Sequence, residues 1–514
     1  MEPQYAVEMK HITKSFGEVL ANHDVSLDIR KGEILSLLGE NGSGKTTLMN
    51  MLSGIYYPDS GEIRINGKPA AITSPKVAFE YGIGMIHQHF KLVDLFTAAE
   101  NVVLGLDEKG RLDRKAVSGK IKEICDQYGF ELDPEQKVYN MSVSQKQTLE
   151  IIKVLYRGAD ILILDEPTAV LTPQETEKLF KVIRNMRDNG KAIVIITHKL
   201  HEVLSVSDRV SVLRKGEFAG TVDTKDATEN SLTEMMVGKK VELNIERPEP
   251  ADPKKRLEVK HVTCFNKDGI KALDDVSFEA YSGEILGIAG ISGCGQKELL
   301  EAIAGLQYVE EGGSILYYEP DTANIHELVG ENPRMIKEQG IALSFVPEDR
   351  LGMGLVGSMG MIDNMMLKDY NKGHQFFLDK KEPKEMALQV KEELEVVTPD
   401  INTPVKTLSG GNVQKVLVGR EIGAHPTVLM TAYAVRGLDI NTSYTIYHLL
   451  NEQKKKGVAV IYVGEDLDVL LELSDRILVL CGGKVNGILD ARKTTKEEVG
   501  LLMTRLKTGG ADHE

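Results

Sequence analysis

Long apolar runs are missing from this chain of 514 residues: none approaches the roughly 20 residues that crossing a bilayer requires. A soluble protein is therefore expected. The opening MEPQYAVEMK has neither the basic start nor the apolar stretch of a secretory signal, so the expected home is the cytoplasm. Cysteine is scarce. Cys125, Cys264, Cys294 and Cys481 share no CxxC spacing, which argues against a disulfide framework and a zinc site and leaves all four as structural residues. A surplus of positive charge is also lacking: the formal net charge is −15, which disfavours broad attraction to nucleic-acid phosphates, and no nucleic-acid partner is expected. What the chain does have is core material. Hydrophobic residues make up 42% and charged residues 27%, and the length suits three or four compact units of roughly 100 to 200 residues each.

The sequence repeats itself. KGEILSLLGENGSGKTTLMNMLSGIYYPDSGEI, beginning at Lys31, returns as SGEILGIAGISGCGQKELLEAIAGLQYVEEGGSI from Ser282, an offset of 251 (282 − 31). Farther on, Ser142 of MSVSQ answers to Ser409 of LSGGN and Asp208 to Asp475, both at 267 (409 − 142 and 475 − 208), so one insertion between glycine loop and serine motif is expected. Between the copies lies ERPEPADPKKR, Glu246 to Arg256, rich in Pro and charge, which is expected to be an unburied linker. Within each copy, apolar strand-like runs such as ILSLLG, ILILDE and AIVIITH alternate with amphipathic stretches such as TEKLFKVIRNMRDNG, an α/β pattern. The β-branched, almost wholly apolar strands suit a mainly parallel sheet covered on both faces by helices.

The first copy holds a set of phosphate-handling residues. GENGSGKT, Gly39 to Thr46, matches GxxxxGK[ST] between an apolar strand and an apolar-periodic helix. Glycines at 39, 42 and 44 let the backbone curl so that its N–H groups and the helix N-terminus face phosphate oxygens. Lys45 would reach the β and γ phosphates, and Thr46 would offer a hydroxyl to Mg²⁺. ILILDE ends in Asp165 and Glu166 at a strand tip, where α/β sheets place their ligands. Asp165 would hold Mg²⁺ through water, and Glu166 would orient and deprotonate the attacking water. An acidic pair there could also cap a helix. His198, at the end of IVIITH, could hydrogen-bond the γ-phosphate or that water. In IHQHF the two histidines could suggest a metal site, but Gln88 is the preferred functional residue, an amide able to touch Mg²⁺ and water, with His87 and His89 left as packing.

Taken together, the glycine loop, the Gln-bearing loop, the SxxQ motif, LDEPTA and the strand-end histidine resemble an ABC-type ATPase domain, repeated over nearly the whole chain. The resemblance implies two tandem nucleotide-binding domains, at 1–245 and 257–506, joined by 246–256 and followed by a flexible tail at 507–514. Each would be a P-loop, RecA-like α/β core with an antiparallel β subdomain and a helical subdomain. The implied cofactors are ATP and Mg²⁺. Implied ATP-binding residues are Phe16, stacking on adenine, with Gly39, Asn41, Gly42, Ser43, Gly44, Lys45, Thr46 and Thr47, completed by Ser409, Gly410 and Gly411 of the second copy's LSGGN. The implied metal set is Thr46, Gln88 and Asp165, and the catalytic set Glu166, His198 and Gln88. Domains of this family pair head to tail, each ATP lying between one domain's glycine loop and the other's serine motif.

By the same resemblance the second copy's site is degenerate. Gln296 stands at the lysine position and Lys297 at the Ser/Thr position, Ala432 and Tyr433 replace the acidic pair, and Glu348 and Glu465 replace the glutamine and the histidine. The serine motif that would close it, MSVSQ, has Val143 and Ser144 in place of both glycines, whereas LSGGN departs only at Asn412, and Asp439 of RGLD is kept. One competent composite site is therefore expected. MIHQHFKLVDLFTAAENVVLG and VLYRGADILILDEPTAVLTPQE look most like the nucleoside branch of the sugar and nucleoside importers, as does the lost second acidic pair; a monosaccharide such as ribose or galactose is the alternative cargo. The implied partners are two integral-membrane permeases and an extracytoplasmic solute-binding protein, with the chain at the cytoplasmic face of the cell membrane. A soluble tandem ATPase acting on ribosomes or DNA is the rival of another class, but the long charged interdomain arm of such factors is absent.

Overall fold

The computed structural model describes residues 4–504 apart from 18, 88–89, 107–112, 170, 198, 239–244, 251, 268, 292, 369 and 371–377. Two compact units divide the chain, Met1–Glu242 and Leu243–Glu514. Gln88, His198 and the tail 507–514 lie outside the described residues.

Each unit has the same two sheets. In the first, Val19–Arg30, Tyr5–Phe16, Ser60–Ile65 and Lys68–Pro69 form an antiparallel sheet in that order. Beside it runs a six-stranded sheet in the order Glu217–Asp223, Arg209–Arg214, Ile34–Leu38, Ala192–Ile196, Ile161–Asp165, Ile83–Ile86, parallel except for the first, edge strand. Successive strand residues point to opposite faces, so Leu35, Leu37, Ile161, Ile163 and Val194 enter one apolar core and Ile34, Leu162, Leu164, Ile193 and Ile195 the other. Both faces are dry, which is why these strands read as unbroken apolar runs. The amphipathic stretch after LDEPTA forms the helix Pro173–Asp188, begun by a capping box between Thr172 and Glu175 and burying Leu179, Phe180, Ile183 and Met186. Ala98–Val103, Arg114–Tyr128 and Val143–Tyr156 are the helices between the Gln-bearing loop and the strand Ile161–Asp165.

The second unit repeats the central sheet in equivalent order: Leu343–Val346, Val428–Ala432, Ala459–Val463, Ile285–Ala289, Arg476–Cys481 and Lys484–Asp490. Its register corrects the expected single insertion. Ile83 pairs with Ile161 in the first unit and Leu343 with Val428 in the second, so this strand is offset by 260 (343 − 83) while its neighbour is already at 267 (428 − 161). Extra residues therefore enter twice, before and after this strand. The linker expectation also changes. Lys255 and Arg256 open the strand Lys255–Phe265, and residues 245–250 are held against the second unit: Ile245 packs on its core and the Arg247 guanidinium donates to the carbonyls of Leu471 (2.6 Å) and Ser474 (2.9 Å). Helix-end carbonyls need donors, and a Pro-rich extended segment can bring one without forming an element of its own. Among the described residues no helix is long and apolar enough to cross a membrane.

Candidate active site

The strand Ile34–Leu38 delivers the chain into a loop that only glycine can follow at two points. Gly39 has φ 157° and Gly44 φ 92°. A Cβ at Gly39 would lie 2.3 Å from the Leu213 carbonyl oxygen, and one at Gly44 would lie 2.3 Å from that of Ala21. Gly44 then caps the helix Lys45–Leu52 in the left-handed conformation. The loop thus wraps tightly, with its helix amides directed to the concave side, the arrangement that cradles phosphate.

Lys45 is buried, and its Nζ donates to the carbonyls of Gly39 (2.8 Å) and Glu40 (2.9 Å). Burial holds its pKa below the ordinary lysine value, against the pull of Glu166, Asp165 and Glu40, so three acids lie within electrostatic reach of this one cation. Ser43 is buried, and its Oγ has no hydrogen-bond partner among the described residues. Such orphaned atoms are rare in folded proteins, and a phosphate oxygen would satisfy this one. Asn41, Gly42 and Thr46 are exposed on the same loop, and Thr47 is half-buried behind them. Phe16 is 43% exposed and meets the edge of Tyr56 with centroids 5.0 Å apart, leaving ring surface open.

Asp165 and Glu166 end the strand Ile161–Asp165 facing this loop. Burial, reinforced by Glu166, pushes the Asp165 carboxyl up to about 6, opposed by Lys45 and by a hydrogen bond from Thr46. The Thr46 hydroxyl and the Asp165 carboxylate are therefore in contact, the two side chains expected at Mg²⁺. Among the described residues no group of three or more His, Cys, Asp or Glu forms a metal cage; Mg²⁺ is commonly held by one or two carboxylates together with substrate phosphates, so the pair fits that ion. Glu166 sits at φ 47°, sparsely populated for a non-glycine residue, and its N–H donates to the Ile196 carbonyl (2.9 Å). That bond locks the strand tip to the end of the strand Ala192–Ile196.

One cluster was not foreseen from the sequence. The Thr168 hydroxyl donates to Glu202 (2.6 Å), which is buried and paired with Lys199 (3.1 Å), and Lys199 Nζ also reaches the Thr168 carbonyl (3.3 Å). It ties the segment after Glu166 to the residues flanking position 198. A signal existed: the repeat positions of Thr168 and Glu202, at the offset of 267, are the apolar Val435 and Val469.

In the second unit the same backbone carries other chemistry. Gly295 caps the helix Gln296–Ile303 at φ 99°, but buried Gln296 donates its Nε2 to the Ile291 carbonyl (3.1 Å), and Lys297 turns outward toward Glu301 (3.8 Å). Ala432 is buried and Tyr433 takes the strand-tip conformation at φ 50°, its N–H bonded to the Val463 carbonyl (3.0 Å) and its hydroxyl pushed up to about 12 chiefly by burial. Arg436 lies over the Tyr433 ring and pairs with both Glu348 and Glu465 (3.1 Å to the latter), so the glutamine and histidine replacements are joined in one ion-pair network. Lys297, Glu348 and Ala432 line a cavity of about 290 Å³ beside it.

The two serine motifs are both helix caps. Ser142 accepts from Gln145 N–H (3.2 Å) in a capping box, and Ser409 accepts from Asn412 N–H (3.4 Å) and Nδ2 (2.9 Å). Gly410 and Gly411 open the helix Gly410–Gly423 without side chains of their own, whereas Val143 stands 38% exposed at the equivalent turn of the first unit. Asp439 caps the next helix through Thr442 N–H (2.8 Å).

The pattern of the ABC transporter family matches residues 22–169 and 273–431. The guanosine import ATP-binding protein NupO of Bacillus subtilis is 42% identical over 505 residues, 97% of this chain and 97% of its own. The nucleoside import ATP-binding protein NupA of Lactococcus lactis is 42% identical, covering 98% of this chain and 99% of its own. The ribose import ATP-binding protein RbsA of Corynebacterium glutamicum is 36% identical over 98% of this chain and 93% of its own.

Proposed function

The chain belongs to the ABC transporter family, and on that premise we propose that it is the ATP-hydrolysing subunit of a nucleoside importer, with its chemistry at the glycine loop of the first unit. The observation that carries this reading is the convergence of buried Lys45, the Thr46–Asp165 contact and the strained Glu166 on one loop, matched by their replacement in the second unit.

When ATP binds, Lys45 exchanges its two loop carbonyls for β and γ phosphate oxygens, and the Ser43 hydroxyl gains the partner it lacks. Thr46 and Asp165 would hold Mg²⁺, with Gln88 as the third residue proposed for that ion, which would supply neutralisation of phosphate charge. Glu166 accepts a proton from water as its oxygen bonds to the γ-phosphorus and the bond to the β-phosphate oxygen breaks, giving ADP and phosphate; His198 steadies the γ-phosphate. The retained LSGGN supports Ser409, Gly410 and Gly411 as further ATP-contacting residues. Two permeases, an extracytoplasmic solute-binding protein and a place at the cytoplasmic face of the membrane follow from the importer reading.

The 42% identity to guanosine and nucleoside import proteins supports nucleosides as cargo; the ribose relative keeps a monosaccharide as the second reading. The chain reconstituted in liposomes with its genomically neighbouring permeases and binding protein tests both. Nucleoside-stimulated phosphate release, absent with ribose, is expected. Stimulation by ribose alone would replace the nucleoside reading.

A further inference from the structure

Each unit has a groove at the end of its central sheet opposite the glycine loop, and residues 245–250 fill that of the second unit. In the first unit Ile34 N–H donates to the Asp208 carboxylate (2.8 Å), Arg209 pairs with Glu33 (2.9 Å), Arg187 with Asp208 (3.0 Å), and Thr224 N–H donates to the Asp208 carbonyl (3.0 Å). The second unit repeats each contact: Ile285 N–H to Asp475 (2.8 Å), Arg476 with Glu284 (2.6 Å), Lys454 with Asp475 (2.8 Å), and Ala491 N–H to the Asp475 carbonyl (3.0 Å). The frames are the same, offset by 267 (475 − 208) and, before the glycine loop, by 251 (284 − 33).

What covers the second frame is an extended peptide. Besides the two bonds from Arg247 to the carbonyls of Leu471 and Ser474, Arg492 pairs with Glu249 (3.1 Å) and donates to the Arg247 carbonyl (3.3 Å), and Lys455 reaches Glu246 (3.5 Å). In the first unit Leu204, Ser207 and Lys225 stand at the positions of Leu471, Ser474 and Arg492, and they line a cavity of about 720 Å³. Two buried polar atoms at this cavity, Arg30 Nε and Thr224 Oγ1, have no hydrogen-bond partner among the described residues. The charge differs as well. Five cationic residues face three acidic ones in the lining, and Arg30 and Lys31 replace Tyr281 and Ser282 of the filled groove.

We propose that this groove of the first unit is a docking site for an extended acidic segment of a partner polypeptide, bound as residues 245–250 are bound in the second unit, with carboxylates on Arg30, Lys31 and Lys225. The unpartnered donors favour an acceptor-rich ligand, because an unpaired buried donor is costly. The added cations favour carboxylates over an arginine in the peptide, since complementary charge selects partners and like charge rejects them.

The test is fluorescence anisotropy with the full chain and two labelled peptides, one with the sequence of residues 245–250 and one carrying Arg247→Glu. Saturable binding is expected, tighter for the acidic peptide, weakened at least about tenfold by the pair Lys31→Glu and Lys225→Glu. Lys225 is 76% exposed and Lys31 is exposed, so both substitutions should leave the fold intact, which unchanged basal ATPase activity would verify. Arg492→Glu, in the second groove, should leave acidic-peptide binding unchanged. Absence of saturable binding, insensitivity to the paired substitution, or an equal loss with Arg492→Glu would each overturn the proposal.

Discussion

The strand tips Asp165–Glu166 and Ala432–Tyr433 have nearly the same backbone and opposite chemical content. Glu166 and Tyr433 sit at φ 47° and 50°, and each N–H bonds the neighbouring strand, at 2.9 Å and 3.0 Å. A left-handed conformation in a non-glycine residue persists only where its surroundings over-determine it. Here the fold holds the strained turn whether or not a carboxylate stands on it. The second unit therefore keeps the scaffold of a hydrolytic site while Arg436 joins Glu348 and Glu465 where the first unit has Gln88 and His198. Geometry and chemistry have separated, so each can be probed alone.

The sharpest break in the comparison is Glu166→Gln. Loss of a general base costs typically 10²- to 10⁴-fold in rate, so steady-state hydrolysis should fall by at least about 100-fold while filter-binding of labelled ATP persists, because Lys45 and the loop are untouched. Tyr433→Phe at the equivalent turn should leave the rate unchanged. Turnover of Glu166→Gln within about tenfold of the parent would remove Glu166 from the chemistry.

Next in size is the serine pair. Ser142 and Ser409 both cap helices, so Ala at either should lower stability by a similar amount, about 1 kcal/mol, which thermal unfolding can check. Their effects on kcat should diverge: removal of a transition-state donor costs up to roughly 10²- to 10³-fold, so Ser409→Ala should lower kcat at least about tenfold and Ser142→Ala should not. Equal losses would mean the degeneracy of MSVSQ carries no functional meaning.

A smaller effect of opposite sign is expected from Asp165→Asn. The Asp165 carboxyl titrates at about 6 in the folded chain against 3.8 unperturbed, so between these values the folded state binds the proton more readily and stability from this group falls as pH rises. Above pH 6 the buried carboxylate is a standing penalty. With allowance for screening by solvent, Asn should stabilise the nucleotide-free protein by about 1–2 kcal/mol at pH 7.5, a rise of roughly 2–8 °C in Tm, and should remove this group's contribution to the pH dependence, so that the gain over the parent shrinks as pH falls. A lower Tm for Asp165→Asn would show that the carboxylate is paired, not strained.

How much of this could be read from the sequence depended on whether a residue's role was local. GENGSGKT, the acidic strand tip and the apolar runs are contiguous signals, and the sheets follow from them. The second insertion was legible but unread: equating Glu348 with Gln88 already sets an offset of 260 (348 − 88), and the register of Leu343 against Val428 agrees with it. The docking of 245–250 was hidden because Pro and charge read as solvent-exposed, while the partners of Arg247 are backbone carbonyls more than 200 residues away. The Arg436 network joins segments that follow three strands and the Thr168–Glu202 bond segments that follow two, which composition does not record.

The mildest intervention asks whether the second loop can be repaired. Gln296 fills the place of Lys45, bonding one carbonyl among the described loop residues where the lysine bonds two. Gln296→Lys restores the cation, and in the Glu166→Gln background it should yield no recovery of phosphate release. The lysine only positions and neutralises phosphate. The strand tip itself, Ala432 and Tyr433, offers no carboxylate, Glu348 and Glu465 are both paired with Arg436, and a phenol pushed up to about 12 cannot act as a base near neutrality. A measurable gain in release over Glu166→Gln alone would mean that the second strand tip retains a base, and that the contrast between the two tips is one of degree.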